Sequence, residues 1–111
     1  MKILKGESGT EYRVLFSFNA FVKFEEVTRI NLDRLGEIPG SPKLLLQFFR
    51  FAWEAGEGKK IKEGQASEAI GDIVKEMGYA TFATELMEAF IAVFKIETDA
   101  QTDETTTGNE S

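Results

Sequence analysis

The sequence of 111 residues contains no cysteine and no histidine. Without cysteine, the chain forms no disulfide bond and offers no thiol nucleophile and no thiolate metal ligand. Without histidine, it lacks the commonest general base and a frequent transition-metal ligand. The carboxylates and hydroxyls that remain show neither the spacing of a calcium loop nor that of a converging acid–base pair. We therefore expect no enzymatic activity, no cofactor and no metal site.

Long apolar runs are also missing from the sequence. No stretch approaches the ~18 consecutive apolar residues that a membrane-spanning helix requires. The opening residues, Met-Lys-Ile-Leu-Lys-Gly, do not include the apolar core of a signal peptide, which is about 7–15 residues long. We therefore expect no contact with a membrane and a location in the cytoplasm.

Positive charge is missing from one end of the chain. Residues 97–111 contain five acidic side chains and no basic one: Glu97, Asp99, Asp103, Glu104 and Glu110. The other 14 acidic residues are almost balanced by 13 basic ones. Because residues 97–111 also have few apolar side chains, burial cannot offset the chain entropy lost on folding. The sequence predicts a single compact domain over residues 1–96 and a disordered acidic tail over residues 97–111, which either aids solubility or binds a basic partner.

Between Glu11 and Thr28 the spacing of apolar residues changes from a period of two to the helical period. The alternation predicts a strand from Glu11 to Phe18, which pairs with a strand over Lys2–Lys5 through a turn that contains glycine. Asn19 is expected to cap the following helix. Five residues of that helix share one face and are expected to pack inward: Ala20, Phe21, Phe24, Val27 and Thr28.

Capping and helix-ending residues predict three further helices. They run from Ser41 to Gly56, with Pro42 at the first helical position, from Ser67 to Gly78 and from about Ala80 to Lys95. Residues 36–40 are expected to form a loop. The predicted fold class is α+β and mostly α, with an N-terminal β-hairpin packed on a bundle of about four helices.

The second predicted helix is apolar around most of its circumference. Its polar side chains fall within a sector about 60° wide; they are Lys43, Gln47, Arg50 and Glu54. Two interpretations stay open, because such a helix either forms the core of the domain or uses one apolar face to bind another protein chain. The residues expected at such a contact are Leu46, Phe49 and Trp53, with Phe90 and Phe94 from the last helix.

Three segments carry a resemblance to a known family. The first is Phe-Ser-Phe-Asn-Ala-Phe at residues 16–21, followed by Phe-Glu-Glu-Val-Thr at residues 24–28. The second begins with Ser-Pro-Lys at residues 41–43 and ends with Ala-Trp-Glu-Ala-Gly, and the third leads from Ala66 to Tyr79. Over residues 1–96 the chain resembles the tail assembly chaperones of long-tailed bacteriophages and related tail proteins of prophages and gene-transfer agents. It departs from them at Arg29, where many relatives have glycine.

The resemblance implies a non-enzymatic protein that binds and solubilises the tape-measure protein and helps recruit tail-tube subunits during tail morphogenesis. It also implies a location in the cytoplasm of the host bacterium and absence from the mature virion. On this hypothesis the residues that contact the tape-measure protein are Leu46, Phe49, Trp53, Phe90 and Phe94. Self-association is left open.

The alternative is a small helical adaptor or a helix-turn-helix-like transcriptional regulator built from residues 67–95. The polar residues of its second helix include two acids and a single base; they are Thr81, Thr84, Glu85, Glu88 and Lys95. Acidic side chains repel the phosphates that DNA-binding proteins must neutralise. We therefore expect no binding to nucleic acid.

Overall fold

The computed structural model describes residues 1–95. Two strands, β1 (Lys2–Lys5) and β2 (Glu11–Val14), form an antiparallel hairpin in which Lys2 lies opposite Val14 and Leu4 opposite Tyr12. The hairpin packs on helices α1 (Phe18–Thr28), α2 (Pro42–Glu57), α3 (Glu63–Met77) and α4 (Tyr79–Phe94). This architecture confirms the predicted α+β, mostly α fold. The predicted acidic tail lies outside the described residues.

The switch from strand to helix comes earlier than predicted. β2 ends at Val14 instead of Phe18, because the Leu15 N–H donates to the Ala52 carbonyl in α2 (2.9 Å). Ser17, and not Asn19, caps α1, since its hydroxyl accepts a hydrogen bond from the Ala20 N–H (3.1 Å). Phe18 therefore becomes the first residue of α1 and its side chain is 73% exposed.

The capping residues in the sequence predicted the start of α2 correctly and the start of α3 incorrectly. Ser41 caps α2 with Pro42 at its first position, as predicted. The helix continues through Gly56 and ends at Glu57, where Gly58 adopts the left-handed conformation (φ 71°) that favours glycine. The start of α3 was predicted wrongly, because Ser67 lies inside a helix that begins at Glu63, where the Lys62 N–H donates to the Gln65 side chain (2.9 Å).

The connection from α1 to α2 holds more structure than the predicted loop. α1 ends at Thr28, and Arg29 adopts the left-handed conformation (φ 65°) while its N–H donates to the Glu25 carbonyl (2.7 Å). This conformation is the one that glycine usually adopts at the end of a helix. Arg29 therefore ends α1 at the position where many members of the resembling family have glycine. A 3₁₀ helix follows at Leu32–Glu37, where a loop from residue 36 onwards was expected.

Phenylalanine rings form the centre of the core. Phe48 in α2 contacts Phe16 (5.0 Å between ring centroids), Phe24 (5.3 Å) and Phe90 of α4 (5.2 Å). α2 is buried on several sides, through Leu45, Gln47, Phe48, Phe49, Phe51 and Ala52. This burial supports the interpretation of α2 as a core helix. On α1 the predicted inward face was wrong at Val27, which is 54% exposed.

Within residues 1–95 no single helix is both long enough and apolar enough to cross a membrane. α3 and α4 together meet the length and composition requirements, but their axes bend by 110° at the break between them.

Candidate protein-binding site

The structure separates the five predicted contact residues into two groups. Phe49 and Phe90 are each 0% exposed. The ring of Phe49 lies against Tyr12 of the hairpin (6.5 Å) and Phe82 of α4 (5.7 Å), so the hairpin and α4 cover the face that was expected to bind a partner. These two residues belong to the core in this structure, which corrects the expectation that they lie on an accessible surface.

Leu46, Trp53 and Phe94 are half-buried at the edge of the core. The Trp53 ring meets Tyr12 edge to face (5.2 Å), and its Nε1 donates to Glu57 (3.3 Å). The Phe94 ring stacks on Phe90 (4.4 Å). Each side chain keeps a partly accessible side, so a binding role for these three residues stays a prediction.

A groove beside α4 exposes apolar side chains that the sequence did not single out. Its lining comes from Met1, Lys2, Val14, Leu15 and Phe16 in and beside the hairpin and from Ala89, Ala92 and Val93 on α4. Within residues 1–95, Lys2 is the one charged residue in this lining, and its ammonium group pairs with Glu85 (3.0 Å). Its volume is about 200 Å³. Met1 is 71% and Val93 52% exposed, and both are large apolar residues. We call this set the α4 groove.

The sequence held one signal for the α4 groove. Leu15 lies between Val14 and Phe16, so three consecutive apolar residues interrupt the alternation of the predicted strand. A strand with one buried face alternates apolar and polar residues, and an apolar residue on the other face needs a second partner. Ala92 and Val93 lie in the run Ala-Phe-Ile-Ala-Val-Phe at residues 89–94, where every position is apolar, so helical periodicity does not distinguish the outward face from the core face.

A carboxylate on α3 holds the turn of the hairpin. Asp72 accepts hydrogen bonds from the Ser8 hydroxyl (2.6 Å), the Ser8 N–H (2.9 Å) and the Tyr12 hydroxyl (2.8 Å). The bond from the Ser8 hydroxyl, followed by that from its N–H, lowers the pKa of Asp72. Burial, followed by the bond to Asp72, raises the pKa of Tyr12. A Cβ atom at Gly6 would overlap with the Asp72 carboxylate, so glycine permits this close approach.

Asp72 should make the stability of the protein dependent on pH. Its pKa is lower in the folded than in the unfolded chain, so its stabilising contribution is complete above about pH 4 and is lost as the pH falls through the folded value. In Asp72→Asn this contribution is missing at every pH. Urea unfolding between pH 7 and pH 2.5 should show a stability difference between wild type and variant that shrinks below about pH 4. The exposed Glu76→Gln change on the same helix is the control, and a constant difference across the range would contradict the coupling.

A polar network joins α2 to the start of α3. Gln47 is buried; its amide nitrogen donates to Glu63 (2.8 Å) and its oxygen accepts from Arg50 (3.0 Å). Arg50 also donates to the carbonyl of Ile61 (2.8 Å). Because these groups already bind one another, the network connects two helices and leaves no converging polar atoms for a substrate.

The structure also describes the acidic side chains and the second helix of the helix-turn-helix alternative. Over residues 1–95 no group of three acidic side chains is placed to hold a metal ion. α4, the second helix of the helix-turn-helix alternative, is anchored in the core by Phe82, Leu86 and Phe90. Its outer side exposes Glu88, which would repel phosphate.

The α4 groove is therefore the feature of the described residues that best suits binding, and it suits an apolar segment of another chain. Comparisons of the sequence and the structure with protein-family models, curated proteins and solved structures gave no match.

Proposed function

We propose that this protein is a tail assembly chaperone of a long-tailed bacteriophage, a non-enzymatic protein that binds the tape-measure protein and keeps it soluble. The observation that carries the proposal is the α4 groove, in which exposed apolar side chains lie beside a packed core. The resemblance over residues 16–28, 41–56 and 66–79 supports the choice of partner.

The groove suits an amphipathic helix. Such a helix places apolar side chains at every third or fourth position, and these enter grooves lined by apolar residues. The α4 groove, of about 200 Å³, is large enough for an apolar side chain, and Val93 lies at its accessible edge. A long helical tape-measure chain would offer many such stripes, so many copies of this protein could cover it.

The same proposal places the protein in the host cytoplasm during tail assembly and outside the mature virion. The family that this chain resembles also helps recruit tail-tube subunits, and we propose the same role for this protein. A chaperone of this kind must release its partner, and a groove with a modest apolar area suits reversible binding.

Val93→Asp should abolish capture of the tape-measure protein and leave the fold intact. The change puts a charge into the α4 groove, where an apolar partner would have to desolvate it. Val93 is 52% exposed but lies in the last turn of α4, where a negative charge is unfavourable, so the free energy of unfolding should fall by about 0.5–1.5 kcal/mol. The measurement is a pull-down of the co-expressed tape-measure protein of the same phage, with at least about tenfold less recovered by the variant, a loss of about 1.4 kcal/mol or more.

Thr81→Asp is the matched control for Val93→Asp. It adds the same charge at an exposed position on the same helix, about 18 Å away along the axis, and should bind as wild type does. Because Thr81 lies in the first turn of α4, where an acid is favourable, this variant controls for the added charge and not for the stability change. If Val93→Asp binds normally and Trp53→Ala does not, the half-buried Trp53 surface is the contact instead. If wild-type protein captures no tape-measure protein, or is abundant in purified particles, the proposed function is wrong.

A further inference from the structure

A second concave surface lies between the start of α1 and the end of α2. Its volume is about 270 Å³, and its lining includes Ala20, Lys23, Glu54, Gly58, Lys59 and Lys60. Lys23, Lys59 and Lys60 are all exposed. We call these three residues and the concavity they border the lysine surface.

The positive charge of the lysine surface is not neutralised within residues 1–95, where none of the three lysines has a carboxylate within 4.0 Å. The one acid in the lining, Glu54, is already engaged. Its carboxylate accepts from the Ile61 N–H (2.9 Å) and lies 4.0 Å from Arg50. The first turn of α1 adds the partial positive charge of a helix N-terminus.

We propose that the acidic residues of segment 97–111 bind the lysine surface of the same molecule. The segment carries five carboxylates and no basic residue, so its charge is complementary to this surface. Binding would neutralise the three lysines and keep other polyanions away from them. This proposal is independent of the proposed function, because it depends on the charges and not on the tape-measure protein.

The segment begins close enough to reach the surface. The Phe94 ring at the end of α4 lies 6.3 Å from the ring of Phe21 in α1. Phe21 follows Ala20, which is one of the residues that line the lysine surface. Lys95 adopts a left-handed conformation (φ 56°) that ends the helix. Residues 97–111 can extend over about 50 Å, several times the 6.3 Å between the rings of Phe94 and Phe21.

Residues 97–111 are covalently joined to the domain that carries the lysine surface, so weak ion pairs are enough for binding. Exposed ion pairs contribute little individually. A binding segment on the same chain has an effective concentration in the mM range, so several weak pairs together suffice. Because salt screens exposed charges, the bound fraction should fall steeply as the salt concentration rises.

A spin label on the segment tests the proposal. The chain has no cysteine, so Thr106→Cys gives a single labelling site and keeps every carboxylate. In ¹⁵N-labelled protein at low salt, the label should broaden the amide signals of Lys23, Gly58 and Lys59 at least threefold more than that of Lys75, an exposed lysine on α3. In 1 M salt the preference should disappear.

Charge-matched variants identify the surface. Replacing Lys23, Lys59 and Lys60 by glutamine should abolish the preferential broadening. Replacing Lys5, Lys43 and Lys75, three exposed lysines elsewhere, removes the same charge and should preserve it. Equal broadening at all lysines, or broadening that survives in the first variant, would overturn the proposal. So would preferential broadening in a mixture of spin-labelled ¹⁴N protein and unlabelled ¹⁵N protein, because the occupant would then be a second copy.

Discussion

Phe90→Ala should destabilise the protein by about 3–5 kcal/mol, the range observed when a fully buried phenylalanine is truncated. The ring is 0% exposed and packs against Phe16 (5.6 Å), Phe21 (5.3 Å), Phe48 (5.2 Å) and Phe94 (4.4 Å). Its removal leaves a cavity where the hairpin exit, α1, α2 and α4 meet. Since small domains are stable by only about 5–15 kcal/mol, much of the total stability would be lost. Urea unfolding followed by circular dichroism measures the change.

Phe18→Ala is the matched control for Phe90→Ala. It removes the same atoms from a side chain that is 73% exposed, so the free energy of unfolding should change by no more than about 0.5 kcal/mol. If Phe90→Ala does not fold, Phe90→Leu gives a smaller and measurable loss. Equal effects of the two alanine changes would contradict the burial of Phe90. Partner binding by Phe90→Leu in proportion to its folded fraction would show that Phe90 acts through the core and not as a contact.

The parts of the fold that the sequence predicted are those set by neighbouring residues. Ser41 and Pro42 define the start of α2, and Gly78 separates α3 from α4, because capping and helix ending depend on a few adjacent groups. Ser17 and Asn19 are both good caps, and local sequence cannot choose between them. The choice follows from the Leu15 N–H, which bonds to Ala52 in α2 and ends the strand early.

The candidate site was predicted less well, for a related reason. Helical periodicity identifies an apolar face but not which element covers it. The face of α2 that contains Phe49 meets Tyr12 and Phe82, so it is closed by contacts between residues distant in sequence. The α4 groove arises in the same way, since Leu15 and Val93 are brought together only by the folded hairpin and α4.

The position of the hairpin on α2 depends on a close approach of two backbones. Gly56→Ala should destabilise the protein by about 1–3 kcal/mol or more, the usual cost of overpacking. A Cβ atom at Gly56 would overlap with the backbone carbonyl of Arg13 and lie 3.0 Å from the Val14 nitrogen. These are backbone atoms held by the strand pairing, so they cannot rotate away as the end of a side chain would. For a domain of this size the melting temperature should fall by about 4–8 °C per kcal/mol.

Gly71→Ala provides the opposite result at a second helical glycine. Apart from its chain neighbours and the backbone of its own helix, no atom lies within 4 Å of a Cβ placed at Gly71. Alanine should therefore stabilise α3 by about 0.5–1 kcal/mol through its higher helix propensity. The fluorescence of Trp53, the only tryptophan, reports on the α2–hairpin contact during urea unfolding, because its ring lies 5.2 Å from Tyr12. If both alanines stabilise the protein, the hairpin does not press on Gly56. A loss at Gly56 with a gain at Gly71 would show that glycine at residue 56 is required for close packing of the hairpin, and hence for placing Leu15 in the α4 groove.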